Sequence, residues 1–314
     1  MRLSVIIATY NRSQSLSRML QSLLEQKTER PLDFEVIVVD NNSKDNTKSV
    51  VESLTPAFNN RLRYIFEQKQ GKSHALNKGI QEAAGEILAF TDDDVIVDSR
   101  WLNNILSCFE TFSCDGLGGR ILPQYPPHAP RWLVDNKDLI VGPVVNYNQG
   151  ESTVVYQKPM YEFLGANFAF KKGLFEECGL FRTDIGPGTK VLGEDTEITN
   201  RFLQAGKRLY YCGQALVWHP VEAERMTLKY VTSWYVALGR YRVMMGQQNS
   251  LFQEAAYFFG VPNPLAKRMA SEARYFLTHI FNQRELLRAW VDLCVSYGKA
   301  SQIRHIRKAP RKTL

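Results

Sequence analysis

Ile87-Leu88-Ala89-Phe90-Thr91-Asp92-Asp93-Asp94-Val95-Ile96-Val97 drives an apolar strand straight into three consecutive carboxylates. An unbroken apolar run suits a strand covered on both faces, as in a parallel sheet. Three adjacent carboxylates repel one another, so gathering them at a strand end is costly unless a cation compensates. Hard oxygen ligands suit Mg²⁺ or Mn²⁺, which are often held by one or two carboxylates together with substrate phosphates. An isolated acidic run reads as a solvated turn. The apolar residues on both sides of this one argue for a site.

Upstream the same alternation repeats. Val5–Ala8, Phe34–Val39 and Leu62–Ile65 read as strands. Between them, Ser13–Glu25 reads as a helix with Ser13 as its N-cap, a second helix opens at Asp45, and Lys72–Ala84 forms a third. Repeated strand–helix–strand units predict an α/β fold with a mostly parallel central sheet and helices on both faces. Ligands of such sheets lie beyond the carboxyl ends of the strands. Thr9-Tyr10-Asn11-Arg12, Asp40-Asn41-Asn42-Ser43 and Asp92-Asp93-Asp94 are therefore expected on one rim.

From about Cys114 the pattern changes, and Pro123, Pro126, Pro127, Pro130, Pro143 and Pro159 predict an irregular stretch. A helix is expected over Glu194–Gln204, stopped by Gly206, and a short strand over Leu216–His219, closed by Pro220. Gly116-Leu117-Gly118-Gly119 lacks the third glycine of a dinucleotide fingerprint and reads as a turn. Beyond Ala223 the period is helical. Leu228, Val231, Tyr235 and Leu238 form one stripe, and Phe276, Ile280, Leu287 and Val291 suggest later ones. The expected division is 1–222 as an α/β domain, split near residue 114, and 223–314 as a basic helical extension.

The 314 residues carry 44% hydrophobic and 23% charged side chains, ordinary for a globular protein. Five scattered cysteines without a CxxC pair argue against a disulfide framework or a structural zinc, and point to a reducing cytosol. No stretch approaches the roughly 18 apolar residues that span a bilayer. The net charge of +7 is uneven: Ala223–Leu314 holds 15 Lys and Arg against 5 Asp and Glu, leaving −3 for the rest. That basic third could rest on an anionic membrane surface, giving a cytoplasmic protein peripheral on the inner face. Without a recognised motif beside the charge, nucleic acid is not expected as a partner.

Three further groups could carry chemistry. Glu194-Asp195 opens a helix, where an acid either complements the helix dipole or serves as a general base. His219, beside Trp218, could complete the coordination begun by the aspartates. Gly71-Lys72-Ser73-His74-Ala75 resembles a phosphate-binding turn leading into a helix. Trp132 and Trp218 are candidates for stacking on a sugar ring, with core packing as the plainer alternative.

Taken in order, these residues resemble family 2 glycosyltransferases of the GT-A fold. The resemblance runs over roughly Leu3 to His219. It rests on Ser4-Val5-Ile6-Ile7-Ala8-Thr9-Tyr10-Asn11-Arg12, then Val38-Val39-Asp40-Asn41-Asn42-Ser43 with Asp45 and Thr47. Gly71-Lys72-Ser73-His74-Ala75-Leu76-Asn77-Lys78-Gly79, Thr91-Asp92-Asp93-Asp94, Gly165-Ala166-Asn167-Phe168-Ala169 and Gly193-Glu194-Asp195 follow. It implies a nucleotide-sugar-binding half at 1–114 and an acceptor-binding half at 115–222. It also implies that Thr9, Tyr10, Arg12, Asp40 and Asn42 hold the nucleotide, with Lys72 near the base or diphosphate. Asp92 and Asp93 would serve the donor, Asp94 and His219 the metal (Mn²⁺ or Mg²⁺), although Asp93 remains an alternative direct ligand. Asp195 matches the base, with Glu194 beside it. The implied reaction is inverting, metal-assisted displacement of a nucleoside diphosphate, commonly UDP, by a hydroxyl of a saccharide or lipid-linked saccharide. A sugar-nucleotide nucleotidylyltransferase and a non-catalytic saccharide-binding protein are the alternatives.

Overall fold

The computed structural model describes residues 2–27, 31–157, 163–189, 191–246 and 257–308. Pro159 of the proline-rich stretch lies outside them. The chain forms two compact units. The first comprises 1–126, 145–190 and 194–221; the second comprises 127–144, 191–193 and 222–314.

The first unit is built on one sheet with strand order β3-β2-β1-β4-β8-β6-β9-β5, with β7 also paired to β9. β1 (Leu3–Thr9), β2 (Phe34–Asp40), β3 (Leu62–Phe66) and β4 (Ile87–Asp92) run parallel. β1 and β2 are buried almost end to end, as continuous apolar runs require. α1 (Ser13–Leu24), α2 (Thr47–Leu54), α3 (Lys72–Glu82), α4 (Trp101–Phe112) and α6 (Gly173–Cys178) belong to the same unit, and the short α5 (Arg131–Val134) to the second. The register sets Thr9 opposite Asp40 and Ala8 opposite Asp92, so the three polar groups share the carboxyl rim.

β5 (Ile96–Val97) leaves the acidic run, β6 (Gly116–Gln124) and β9 (Leu209–Pro220) are parallel neighbours, and β7 (Thr153–Val155) pairs β9. β8 (Asn167–Lys171) runs antiparallel between β4 and β6. Phe90, Phe168, Phe170, Phe175, Phe181 and Phe202 form a ring cluster around it, with Phe90–Phe168 centroids at 5.2 Å and Phe170–Phe202 at 5.0 Å. Burying each such ring stabilises by about 1.5–3 kcal/mol.

Several local expectations are corrected. Gly116–Gly119 is not a turn but the start of β6. A Cβ at Gly116 would lie 2.2 Å from the Phe170 ring, one at Gly118 2.4 Å from Phe163, and one at Gly119 2.3 Å from Asn167 Nδ2. These glycines make room for neighbouring side chains, which is one reason glycine enters a strand. The strand ending at His219 has twelve residues, not four, and its register against β6 slips after Cys212, which breaks the sequence period. Ser13 is the first helical residue rather than the cap. Its N–H donates to Asp45 Oδ2 at 2.9 Å, while Asp45 Oδ1 accepts from Thr47 N at 3.1 Å. One carboxylate thus serves the starts of both α1 and α2, and α2 begins at Thr47 instead of Asp45.

In the second unit, α8 (Leu228–Met244) and α10 (Gln283–Lys308) cross with α9 (Asn263–Thr278) beside them. Gly239 and Gly298 form the crossing: a Cβ on either would sit 2.1 Å from a carbonyl oxygen of the other helix. Tyr235 donates to Leu139 O at 2.7 Å, and Gly142 lies against the Trp234 ring. In the expected α8 stripe, Val231 and Tyr235 are buried but Leu228 is exposed. A short hairpin of β10 (Tyr257–Phe258) and β11 (Val261–Pro262) packs with α9 and α10. Among the described residues, no helix is long and apolar enough to cross a membrane.

Candidate active site

The rim residues of the first unit touch one another. Asn41 N donates to Thr9 O at 2.8 Å, Asn11 N to Ser43 Oγ at 2.9 Å, and Lys44 N to Asn11 Oδ1 at 2.7 Å. Asp40 is buried, accepting from Ser43 N at 2.8 Å and from Tyr64 Oη at 2.7 Å. Tyr10, next along the chain from Thr9, is 48% exposed.

Asp92 closes β4, and the turn that follows carries Asp93 and Asp94, both buried. Asp93 turns inward: Thr9 Oγ1 donates to its Oδ2 at 2.6 Å. Burial and the Asp94 charge push Asp93 up to about 7, against that hydrogen bond and the nearby Arg12 charge. Asp92 pairs with Lys72, and Asp94 with Arg12. β5 then pairs with β9, Ile96 opposite Trp218, and this brings buried His219 next to the acidic run. His219 Nε2 lies 3.5 Å from Asp94 Oδ1. Ligand atoms of Asp92, Asp94 and His219 all fall within 4.8 Å of one another, a set that could hold a metal ion. Asp93 is not in that set.

Asp195 sits in the first turn of α7 (Glu194–Gln204). Gly165 N donates to its Oδ2 at 2.9 Å and Thr196 N to its Oδ1 at 2.8 Å. Loss of water raises its pKa above the ordinary aspartate value, opposed by the Gly165 N–H and the Lys72 charge. Burial and the adjoining Asp195 push Glu194 up to about 7, with Lys72 opposing. Burial would lower Lys72, but Asp92 and Glu194 outweigh it and hold the ammonium above its usual range. A Cβ at Gly165 would lie 3.4 Å from Lys72 Nζ and 3.5 Å from Asp195 Oδ2. The Lys72–Asp92 pair and the Asp195 carboxylate therefore flank the same small residue.

One sequence expectation is not met in detail. The turn before α3 offers no free backbone cradle at its first two positions: Gly71 N donates to Asn41 Oδ1 at 2.8 Å and Lys72 N to Pro187 O at 3.0 Å. Its contribution is the Lys72 side chain. Asn42 sits on left-handed backbone (φ 67°), its Oδ1 accepting from Lys44 Nζ at 3.0 Å. Asn41 is the structural residue there, also donating to Lys69 O at 2.6 Å. Sequence reasoning also missed Ser73 and Asn77, whose side chains bond Ile185 O and Phe181 O and strap the 181–189 segment onto α3. Their only signal was their place within the Gly71–Gly79 motif.

The mostly parallel sheet, with the Asp92, Asp94 and His219 cluster at its rim, defines a glycosyltransferase of the GT-A fold. The family model for glycosyl transferase family 2 matches residues 4–182, more than half of the chain, and the chain belongs to that family. Glycosyltransferase AglE of Haloferax volcanii is 27% identical over 248 residues, 79% of this chain and 76% of that protein. The glucosyl-dolichyl phosphate glucuronosyltransferase of the same organism is 27% identical over 225 residues, 70% of this chain and 69% of its own. Among solved structures, the mannosyltransferase PcManGT from Pyrobaculum calidifontis, in complex with GDP-Man and Mn²⁺, gives a TM-score of 0.63. It is 20% identical, covering 98% of this chain and 88% of that one. The protein is accordingly a transferase acting on sugars and using nucleotide-sugar donors.

Proposed function

We propose that this glycosyltransferase works by inverting single displacement, with Asp195 as general base, on a hydroxyl of a saccharide or lipid-linked saccharide. The observation that carries this is the shared lining at Gly165, which brackets Asp195 and the Lys72–Asp92 pair within one small space. Two backbone N–H groups aim the Asp195 carboxylate, and partial removal from water strengthens it as a base. Asp195 takes the acceptor proton at a carboxylate oxygen as the acceptor oxygen bonds the anomeric carbon and the bond to the diphosphate breaks. Lys72 stands where it can meet the diphosphate, and Thr9, Tyr10, Arg12 and Asp40 frame the base and ribose.

Two carboxylates and an imidazole fit Mn²⁺, and the mixed oxygen–nitrogen set suits it better than Mg²⁺. A divalent ion held by Asp92, Asp94 and His219 would supply charge neutralisation for the departing diphosphate. A UDP-sugar is the donor we favour, and the name of the dolichyl-phosphate relative supports a lipid-linked acceptor. The basic carboxy-terminal third would then contact an anionic membrane, each Lys or Arg near the surface adding roughly 1 kcal/mol.

The test is a panel of nucleotide sugars with Mn²⁺ and candidate acceptors. Release of nucleoside diphosphate by the wild type, lost in Asp195→Asn while donor binding persists, is the expected result. Release of pyrophosphate from nucleotide triphosphate and sugar phosphate would instead select the nucleotidylyltransferase reading.

A further inference from the structure

The second unit keeps aromatic side chains in water at a position that its own folding does not favour. β10 and β11 are joined by Phe259-Gly260, with φ of 47° and 76°. Tight hairpin turns of this left-handed kind favour Asn-Gly, and a bulky residue at positive φ is a true outlier. Phe259 is nevertheless 81% exposed and Phe258 60% exposed. A strained, solvated ring of this kind points from the outlier to a binding role.

The surroundings say what would bind. Phe258, Phe259, Val261, Met269 and Tyr297 line an apolar cavity of about 730 Å³, within the size range of small-molecule sites. Arg304 borders it too, and with Phe259, Gly260 and Arg307 lines an adjoining cavity of about 590 Å³. Arg304 and Arg307 are three apart on α10 and so share a face. Arg304 Nε donates to Phe259 O at 3.1 Å, and the Arg307 guanidinium lies 3.8 Å over the Tyr257 ring. Both guanidinium groups are thereby held at the turn, and a guanidinium carries five N–H donors, enough to serve an anion as well. Among the described residues, no acidic side chain lines either cavity.

We propose that this groove binds an anionic membrane lipid, its hydrocarbon against Phe258, Phe259 and Tyr297 and its phosphate on Arg304 and Arg307. A second copy of the chain would bring the same arginines against themselves, whereas an anionic lipid answers both the apolar and the basic cavity. The proposal deepens the membrane contact suggested for the carboxy-terminal third and uses none of the assignments at the sheet rim.

Flotation of the full chain with vesicles of phosphatidylcholine, alone or mixed with phosphatidylglycerol, tests it at physiological salt. The wild type is expected to float only with the anionic mixture. Phe259→Asn and the pair Arg304→Gln with Arg307→Gln should each lower partition by about tenfold or more. Asn suits the left-handed turn, so Phe259→Asn should melt at or above the wild-type temperature, and its loss of binding would not be unfolding. Arg274→Gln with Arg288→Gln, outside the groove, should change partition by less than about threefold. The proposal is overturned if the wild type does not float, if Phe259→Asn floats unchanged, or if the two arginine pairs cost the same. It is equally overturned if Phe259→Asn turns a dimer into a monomer without affecting flotation. Release of nucleoside diphosphate is measured alongside in vesicle-free buffer, so failure here and failure of the transferase reading are told apart.

Discussion

At the sheet rim the chain buries an excess of acids. Asp93 and Glu194 are both pushed up to about 7, chiefly by burial, with neighbouring carboxylates adding to it. The helical unit buries a base instead: Lys299, 3% exposed, is pushed down to about 8 by burial and by the charges of Arg242 and Arg268, with Glu272 and Asp292 opposing. Each region gathers an excess of one sign around its buried groups, acids at the rim despite Lys72 and Arg12 and bases on the helices despite Glu272 and Asp292. Each excess favours a ligand of the other sign. At the rim that ligand would be a divalent cation with its diphosphate, and on the helices an anion. The contrast extends to apolar surface: the rim exposes Tyr10 and Phe66 only by half, whereas the helical unit leaves Phe259, Leu277 and Phe281 largely exposed.

The largest expected effect lies at the rim. Asp195→Asn should lower turnover by about 10²–10⁴-fold, the usual worth of a general base, with donor affinity nearly unchanged. Near-normal nucleoside diphosphate release from this variant would remove Asp195 from the mechanism. Next, His219→Ala should weaken Mn²⁺ binding by at least the ~10–100-fold that losing even an outer-sphere partner costs. Titration calorimetry with Mn²⁺ and the donor reads this directly, and an unchanged affinity would exclude His219 as a ligand.

How much of this contrast was legible beforehand depended on sequence distance. The rim strands were readable because their apolar runs are unbroken, and the parallel order placed Thr9, Asp40 and Asp92 together without any knowledge of contacts. β6 was not readable, because Gly116, Gly118 and Gly119 make room for Phe163, Asn167 and Phe170, which lie some fifty residues away. The double cap by Asp45 joins it to Ser13 across 32 positions, so neither local sequence announces it. On the helical side, the basic excess was countable, but the Gly239–Gly298 crossing and the Phe259 turn exist only once the chain is folded.

That crossing offers a test of whether the two regions are energetically separate. Gly298→Ala would place a Cβ 2.1 Å from Val236 O, a backbone atom that cannot swing aside. Forced overpacking of this kind costs about 1–3 kcal/mol, which should lower the melting temperature by roughly 2–12 °C. Donor and Mn²⁺ binding at the rim should persist below that transition. If they vanish in the folded variant, the contrast drawn here between two independent sites fails.

The smallest effect, and the one most specific to the contrast, is in the pH dependence of stability. Glu194 has a folded pKa raised from 4.5 to about 7, so the folded state binds more protons than the unfolded chain between those values. Its contribution is fully present below about 4.5 and is lost as pH rises through about 7. Lys299 has a folded pKa lowered from 10.5 to about 8, so there the unfolded chain binds more protons. Its contribution is fully present above about 10.5 and is lost as pH falls through about 8. Melting temperature measured from pH 5 to pH 10 without metal should therefore dip near neutrality. Glu194→Gln should make the acid side of the dip shallower, leaving the share that Asp93 contributes, and Lys299→Met should flatten the alkaline side, each leaving the other limb in place. A single variant that flattens both limbs would show that the two buried charges belong to one coupled network, and the opposition between rim and helices would have to be withdrawn.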